Sequence, residues 1–336
     1  MKVGSLVFAT EQGLGILAKA FYDHKVVTDP VIVRHGSRIN HLDWYPPDTP
    51  TSGNINSTQA IWEQIKHVDV MLFFETPFNW EIVTWCKRAG VKTVLMTMYE
   101  CTPEVLPVEF DLYLCPSLLD LQYFPKNKSQ FITVPVEMEW RQRTVATTFV
   151  HNSGHGGLKG RNGTAEFLQA IQYVKSPANY VIRSQSGLSV IKFAMEYKLG
   201  TWFEGMGDRI KVCISVPYNE LFTHGDVFVF PERFNGLSLP LQEAYASGML
   251  VMGTDRYPMN TWLPTEPLIT PVSHCVNRVS PRCKSFEESI VSPKSIAAKI
   301  DEWYGKDISE YSLRGKKWAE ENSWEVLRPE YMKALS

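Results

Sequence analysis

No apolar run in this 336-residue sequence approaches the roughly 18 residues that a membrane-crossing helix needs, so no spanning segment is expected. The opening MKVGSLVFAT lacks the charged start and small-residue cleavage site of a secretory signal, and a cytoplasmic protein is expected. Cysteines are few: Cys86, Cys101, Cys115, Cys213, Cys275 and Cys283 form no Cys-x-x-Cys pair. Several of them fall inside apolar runs, which favours reduced packing thiols over disulfides or zinc ligands. There is no Gly-x-x-x-x-Gly-Lys-Ser/Thr phosphate loop, no Asp-x-Asp pair, no repeat at a solenoid period and no low-complexity tract. Charge of one sign is also lacking. A formal net charge of −2 gives no global pull toward nucleic acid or anionic membrane.

What is present is apolar content of 44% over a length greater than most single domains, which sets two domains as the expectation. Short apolar runs alternate with helix-period segments. VGSLVFA reads as a strand and GILAKAFYDH as a helix with Ile16, Leu17, Ala20 and Phe21 on one face. PVIV, VDVMLFF, VKTVLMTM, FDLYLCPS and QFITVPV read as further strands, with STQAIWEQIKHV and NWEIVTWCKRAG as helices. Strands separated by helices imply a parallel sheet, here over residues 1–140. MEWRQRTVA, Met138 to Ala146, is polar and without period and reads as a linker. A second doubly wound series follows over residues 147–312. Its strands are TTFVHNSG, NYVIRSQ, RIKVCISV, DVFVFP and MLVMGTD, and its helices GTAEFLQAIQYV, PYNELFTHG and LPLQEAYASG. Residues 313–336 read as a C-terminal helix. The fold class is therefore α/β, two doubly wound domains.

Open parallel sheets bind ligands beyond the carboxyl ends of their strands, so the loops there matter most. After Phe230 comes PERFNGL, then Ser238 as a helix N-cap with Pro240 in the first turn. Amides from Asn235 to Leu239 are expected to form an anion cradle. Glu243 lies about a turn further on, a carboxylate among apolar neighbours, suited to a pair of adjacent sugar hydroxyls.

The run PYNELFTHGDVFVFPERFNGLSLPLQEAYASGMLVMGTD resembles the C-terminal half-site of retaining nucleotide-sugar glycosyltransferases of the GT-B fold, specifically the family 4-like group (glycosyltransferase group 1). That group shows two acids separated by seven residues; here the second is Glu243, followed by Ala244, Ala246 and Gly248, while Asn235 stands where the first acid would be. FVHNSGHGGLKGRNGTAEFLQAIQ carries the group's Lys-Gly at Lys159 and Gly160, and TEQGLGILAKAF, with Gly13 and Gly15, resembles its glycine-rich first loop. The resemblance covers about residues 147–331. It implies two facing Rossmann-like domains with a cleft, the N-terminal one on the acceptor side, the C-terminal helix returning toward it, and a nucleotide sugar, UDP-sugar among the candidates, as substrate. It further implies that Glu243 holds ribose hydroxyls and Asn235 the donor sugar. Lys159, with Arg161 or Arg183, would stabilise the diphosphate together with the amides around Gly236, Leu237 and Ser238. No cofactor and no metal are expected. His151 and His155 flank the lysine loop as further phosphate candidates.

On the acceptor side, Tyr99 and Glu100 end the strand VKTVLMTM and Glu75 ends VDVMLFF; either carboxylate is placed to orient or deprotonate a hydroxyl. The acceptor is expected to be a glycan or small molecule. The alternative is a hydroxymethylated pyrimidine in DNA, toward which Arg141 and Arg143 would add positive charge. A nucleotide-sugar epimerase and a non-catalytic sugar-nucleotide sensor are the other readings open to the sequence.

Overall fold

The computed structural model describes residues 1–36, 39–154, 160–184, 205, 207–214 and 216–336. They fall into two compact units. The first comprises Met1–Pro135, Arg278–Lys284 and Asn322–Ser336; the second comprises Val136–Asn277 and Ser285–Glu321.

In the first unit, strands β1 (Val3–Val7), β2 (Asp29–Val33), β3 (Thr51–Ser52), β4 (Val70–Glu75), β5 (Lys92–Thr97), β6 (Leu112–Cys115) and β7 (Ser129–Phe131) form one sheet in the order β3-β2-β1-β4-β5-β6-β7, every pairing parallel. The central strands read as unbroken apolar runs because both faces are covered. Val70, Met71, Leu72, Phe73 and Phe74 of β4 are all buried. The helices α1 (Gly13–Asp23), α2 (Thr58–Ile65), α3 (Trp80–Arg88) and α4 (Leu118–Tyr123) connect them. α3 starts where Asn79 Oδ1 accepts from the amides of Glu81 and Ile82 at 3.1 and 3.3 Å. Glu81 lies in its first turn and Lys87 and Arg88 in its last, as the helix dipole favours. α4 was hidden between two apparent strands by its shortness; Ser117 starts it, accepting from the Asp120 amide at 3.2 Å.

The second unit repeats the plan. β8 (Thr148–Gly154), β9 (Asn179–Ser184), β10 (Ile210–Ile214), β11 (Val227–Phe230) and β12 (Leu250–Gly253) pair in parallel in the order β10-β9-β8-β11-β12. Around them lie α5 (Thr164–Ala170), α6 (Leu239–Ala246), α7 (Pro293–Trp303) and α8 (Ser309–Glu321). The two series of α/β alternation thus form two parallel sheets, the expected fold class.

Three local expectations change. PYNELFTHG forms only a 3-10 turn at Tyr218–Glu220, since Pro217 and Gly225 leave too few residues to propagate a helix. β13 (Ser273–Asn277) and β14 (Phe286–Ile290) form an antiparallel hairpin that the polar pattern SHCVN concealed. Met138–Ala146 is packed within the second unit: the buried Arg143 guanidinium donates to the carbonyls of Gly225, Phe222 and Arg141 at 2.9, 2.9 and 2.7 Å.

The single C-terminal helix is two. α9 (Trp324–Leu335) belongs to the first unit, where the fully buried Tyr331 meets Phe21 edge-on at 4.9 Å and its hydroxyl donates to the Thr133 carbonyl at 2.8 Å.

Candidate functional site

Within each sheet, strand order reverses at one point: between β8 and β11 in the second unit, and between β1 and β4 in the first. Loops leaving adjacent strands there diverge and open a crevice. In the second unit the diverging loops are the one after β8, which leads through Gly160–Gly163 into α5, and Pro231–Ser238 after β11. Lys159 and His155 lie outside the described residues. The two loops approach closely: a Cβ at Gly163, whose φ is +71°, would lie 2.1 Å from the Pro231 carbonyl oxygen, and the Arg233 amide donates to the Arg161 carbonyl at 2.7 Å. Only glycine fits at position 163.

The loop Pro231–Ser238 is closed by its own side chains. Asn235 Oδ1 accepts from the Ser238 and Leu237 amides at 2.8 and 3.2 Å, so two of the amides expected to stand open are already occupied. An asparagine here fits that task, since its short side chain bonds the backbone two and three residues on. Arg256 donates to the Asn235 carbonyl at 2.9 Å, Gln242 to that of Leu237 at 2.7 Å and Thr254 to that of Glu232 at 2.8 Å. Ser238, at φ +50°, donates through its hydroxyl to Glu232 Oε2 at 2.8 Å. Asn235, Gly236, Leu237 and Ser238 are therefore brought together as a rigid entry to α6, all buried.

Two enclosed acids sit at this entry. Glu243, on α6, is 8% exposed, and burial pushes its carboxyl up to about 7 against a hydrogen bond from the Tyr218 hydroxyl to Oε1. Glu232 is fully enclosed; burial raises it to about 7, opposed by the charge of Arg256 and the bond from Ser238. Reading the sequence missed Glu232, Arg256 and Tyr218. Glu232 carried a signal, a carboxylate directly behind the apolar strand VFVFP, but Tyr218 is 25 residues from its partner and carried none.

The remaining candidates of this unit take different parts. Arg183, at the end of β9, is buried and donates to the carbonyls of Leu221 and, at 3.1 Å, His224. Arg161 is exposed on the loop before α5. His151 is fully buried: Nδ1 lies 2.8 Å from the Val229 carbonyl and Nε2 2.8 Å from Thr164 Oγ1, and burial lowers its pKa to about 4, so it is a neutral core residue.

In the first unit, Gly13 opens α1 and Gly15 follows one turn-step later, where a Cβ would lie 2.1 Å from the Thr10 carbonyl oxygen. Two non-glycine residues stand in left-handed backbone where β4 ends, Glu75 as its last residue at φ +60° and Phe78 in the loop after it at φ +57°. Such conformations are strained and concentrate at functional loops. Phe78 is 43% exposed and meets Phe8, the first residue after β1, edge-on at 5.2 Å. Glu100 and Tyr99 occupy a 3-10 turn beyond β5, away from the strand-order reversal. Glu100 is fully enclosed, and the ring of Tyr99, 7% exposed, lies tilted against that of Tyr123 at 4.2 Å. Beside them Asp120 is buried, its carboxyl raised to about 6 by burial and further by the Glu100 charge, against a bond from Ser117 Oγ at 2.5 Å.

No family model matches this chain, and no curated protein matches it by sequence. Solved structures do match over its whole length. Anabaena HepE in complex with UDP-glucose superposes with a TM-score of 0.69 at 10% identity, covering 100% of this chain and 99% of that one. A glycosyltransferase from Rickettsia africae gives 0.64 at 15% identity, with coverage of 100% and 99%. Sucrose-phosphate synthase from Thermosynechococcus elongatus gives 0.65 at 12% identity, with coverage of 99% and 98%. The chain has the fold of these GT-B proteins. Among the described residues no helix is long and apolar enough to cross a membrane.

Proposed function

We propose that this protein transfers a sugar from a nucleoside-diphosphate sugar to a hydroxyl acceptor, with retention of anomeric configuration. The observation that carries the reading is the position of Glu243: a nearly enclosed carboxylate on the helix that the rigid loop Pro231–Ser238 launches from the strand-order reversal of its sheet. The shared fold with a protein solved with UDP-glucose supports a nucleotide sugar as the donor.

In this reading the Glu243 carboxylate accepts from adjacent ribose hydroxyls and fixes the nucleotide. As the bond between the anomeric carbon and the diphosphate oxygen breaks, negative charge grows on the leaving group. Lys159 and Arg161, from the loop after β8, and the positive end of α6 stabilise that charge where it develops. The lack of an Asp-x-Asp pair supports a metal-independent departure. Asn235, holding the loop through Oδ1, shapes the donor-sugar side without adding charge. Arg183 is assigned to the scaffold, since its donors hold the carbonyls of Leu221 and His224.

On the acceptor side we assign Glu75 rather than Glu100. Glu75 stands at the reversal between β1 and β4 in strained backbone, with the half-exposed Phe78 nearby to lie against an apolar sugar face, whereas Glu100 is fully enclosed. The enclosure of Arg143 withdraws one of the cations that favoured a DNA acceptor, so a glycan or small-molecule hydroxyl is the reading adopted.

A panel of nucleotide sugars screened for a rise in thermal midpoint tests this reading, because a ligand of the native state stabilises it by mass action. At least one donor should raise the midpoint, and transfer with that donor should persist with chelator present. NMR of the product should show the donor's anomeric configuration. An inverted product, or activity lost on chelation and restored by manganese, overturns the mechanism.

A further inference from the structure

We propose that Tyr218 is a positioning residue for the nucleotide: by donating to Oε1 of Glu243, its hydroxyl keeps that carboxylate ionised and oriented for two ribose hydroxyls. This rests on the ribose role assigned to Glu243 above. Leu241, Ala244, Tyr245 and Ala246 around Glu243 on α6 are all buried, and an enclosed carboxyl prefers its neutral form. A neutral carboxyl carries a proton on one oxygen and loses acceptor capacity there, so it serves a pair of hydroxyls poorly. A hydrogen bond donated to the charged form counters the effect of burial. Tyr218 does not surrender its own proton, because burial and the neighbouring Glu243 charge raise its pKa well above the usual tyrosine range. The bond leaves Oε2 and a second lone pair on Oε1 for a ligand.

Among the described residues on the elements packed against α6, the charged groups have other partners or lie on other faces. β11 and β12, which pack against α6, carry no titratable side chain, and Glu232 in the preceding loop is engaged with Ser238. On α8, Arg314 pairs with Glu310, Lys317 with Glu321, and Lys316 lies over the Trp140 ring. Tyr311 lies in contact with Arg314, and Glu320 completes the charged groups of that helix. The Tyr218 turn adds Glu220. That turn is itself fixed: Leu221 donates to the Tyr218 carbonyl at 3.2 Å, and Arg183 holds the Leu221 carbonyl from β9. Arg183 thus acts on the nucleotide through Tyr218.

The experiment is calorimetric binding of UDP, ADP and GDP to the full chain from about pH 5.5 to 9, for wild type, Tyr218→Phe and Glu243→Gln. Ionisation of the nucleotide is common to all three proteins, so differences between them isolate the carboxylate. Wild-type affinity should fall below about pH 7, by up to about tenfold per pH unit. In Tyr218→Phe that fall should begin about one pH unit higher, giving roughly fivefold weaker binding at pH 7, approaching about tenfold below pH 6, and near-equal binding at pH 9. Turnover should show it as a raised donor KM with kcat little changed. Tighter binding of Tyr218→Phe at every pH would make the hydroxyl a competitor of the ribose, and a uniform loss would make it simple packing; each overturns the proposal. A Glu243→Gln variant whose binding and pH dependence match wild type, or no binding of any of the three nucleotides, overturns the ribose reading itself.

Discussion

At the carboxyl end of β11 the loop Pro231–Ser238 is held by side chains, with Asn235, Ser238, Gln242, Thr254 and Arg256 each bonding part of it. At the carboxyl end of β4 the stretch from Glu75 to Asn79 carries two residues in left-handed conformation and an aromatic ring half in solvent, with the Asn79 side chain as its anchor to α3. Both lie at the strand-order reversal of a parallel sheet. The first plan fixes polar groups before a ligand arrives and suits a partner of constant shape, such as a nucleoside diphosphate. The second presents apolar surface beside an acid in left-handed backbone, which suits partners that vary. One topology therefore carries two degrees of preorganisation, and the variants that separate them can be ranked.

Glu243→Ala should do most. Two charged hydrogen bonds at about 1.5–3 kcal/mol each predict a fall in kcat/KM for the donor of about two to four powers of ten, with folding retained. Wild-type kinetics in this variant would remove the rigid side of the contrast. Next, Glu75→Gln should slow transfer by about 100-fold while nucleotide affinity stays at the wild-type value, because it touches only the acceptor half of the reaction. Equal slowing by Glu100→Gln with Glu75→Gln silent would return the acceptor role to Glu100.

The third expectation concerns stability against pH. Asp120 is raised from 3.8 to about 6 by burial, so between those values the folded state binds more protons than the unfolded one and stability falls as pH rises. At about 1.4 kcal/mol per pH unit this amounts to about 2.4 kcal/mol between pH 4 and pH 7. Denaturant titrations of wild type and Asp120→Asn at both pH values should differ in slope by roughly that amount, and parallel slopes would dismiss the carboxylate pair. The smallest effect is expected of Asn235→Ala, which leaves the Leu237 and Ser238 amides without their side-chain acceptor and should lower stability by about 1–2 kcal/mol. An unchanged thermal midpoint would show that the loop keeps its shape by other bonds.

The alternation of strands and helices was legible because buried parallel strands are apolar on both faces; VMLFF and VFVF are visible as such. Glu243 was legible for the opposite reason, a charge inside an apolar helix behind a glycine loop. What stayed hidden depends on contacts distant in sequence. Tyr218 meets Glu243 only after the sheet has formed, and Asp120 is paired with Glu100 by the packing of a short helix against the turn beyond β5. The hairpin β13–β14 escaped because β13 is exposed throughout and has no inward face for an alternating pattern to mark. Asn235 stood out in the sequence by its place behind the strand, but its bond to two amides could be seen only with the backbone turn in place.

The membership of α9 in the first unit bears on how the protein is made. Phe21 and Phe74 of that unit lie against each other at 5.2 Å, and Trp324 and Tyr331 cover Phe21 at 5.0 and 4.9 Å. Synthesis delivers those covering residues after the whole of the second unit, whose residues end at Glu321. The half translated first is therefore the later one to finish its core, the reverse of the usual order in which domains fold as they emerge. During that interval Phe21 stands uncovered on the nascent chain. A stop codon at any of residues 322–331 would remove Tyr331, and at 322–324 Trp324 as well, making the interval permanent, so early termination there should yield a chaperone-bound or degraded product rather than a merely shortened protein.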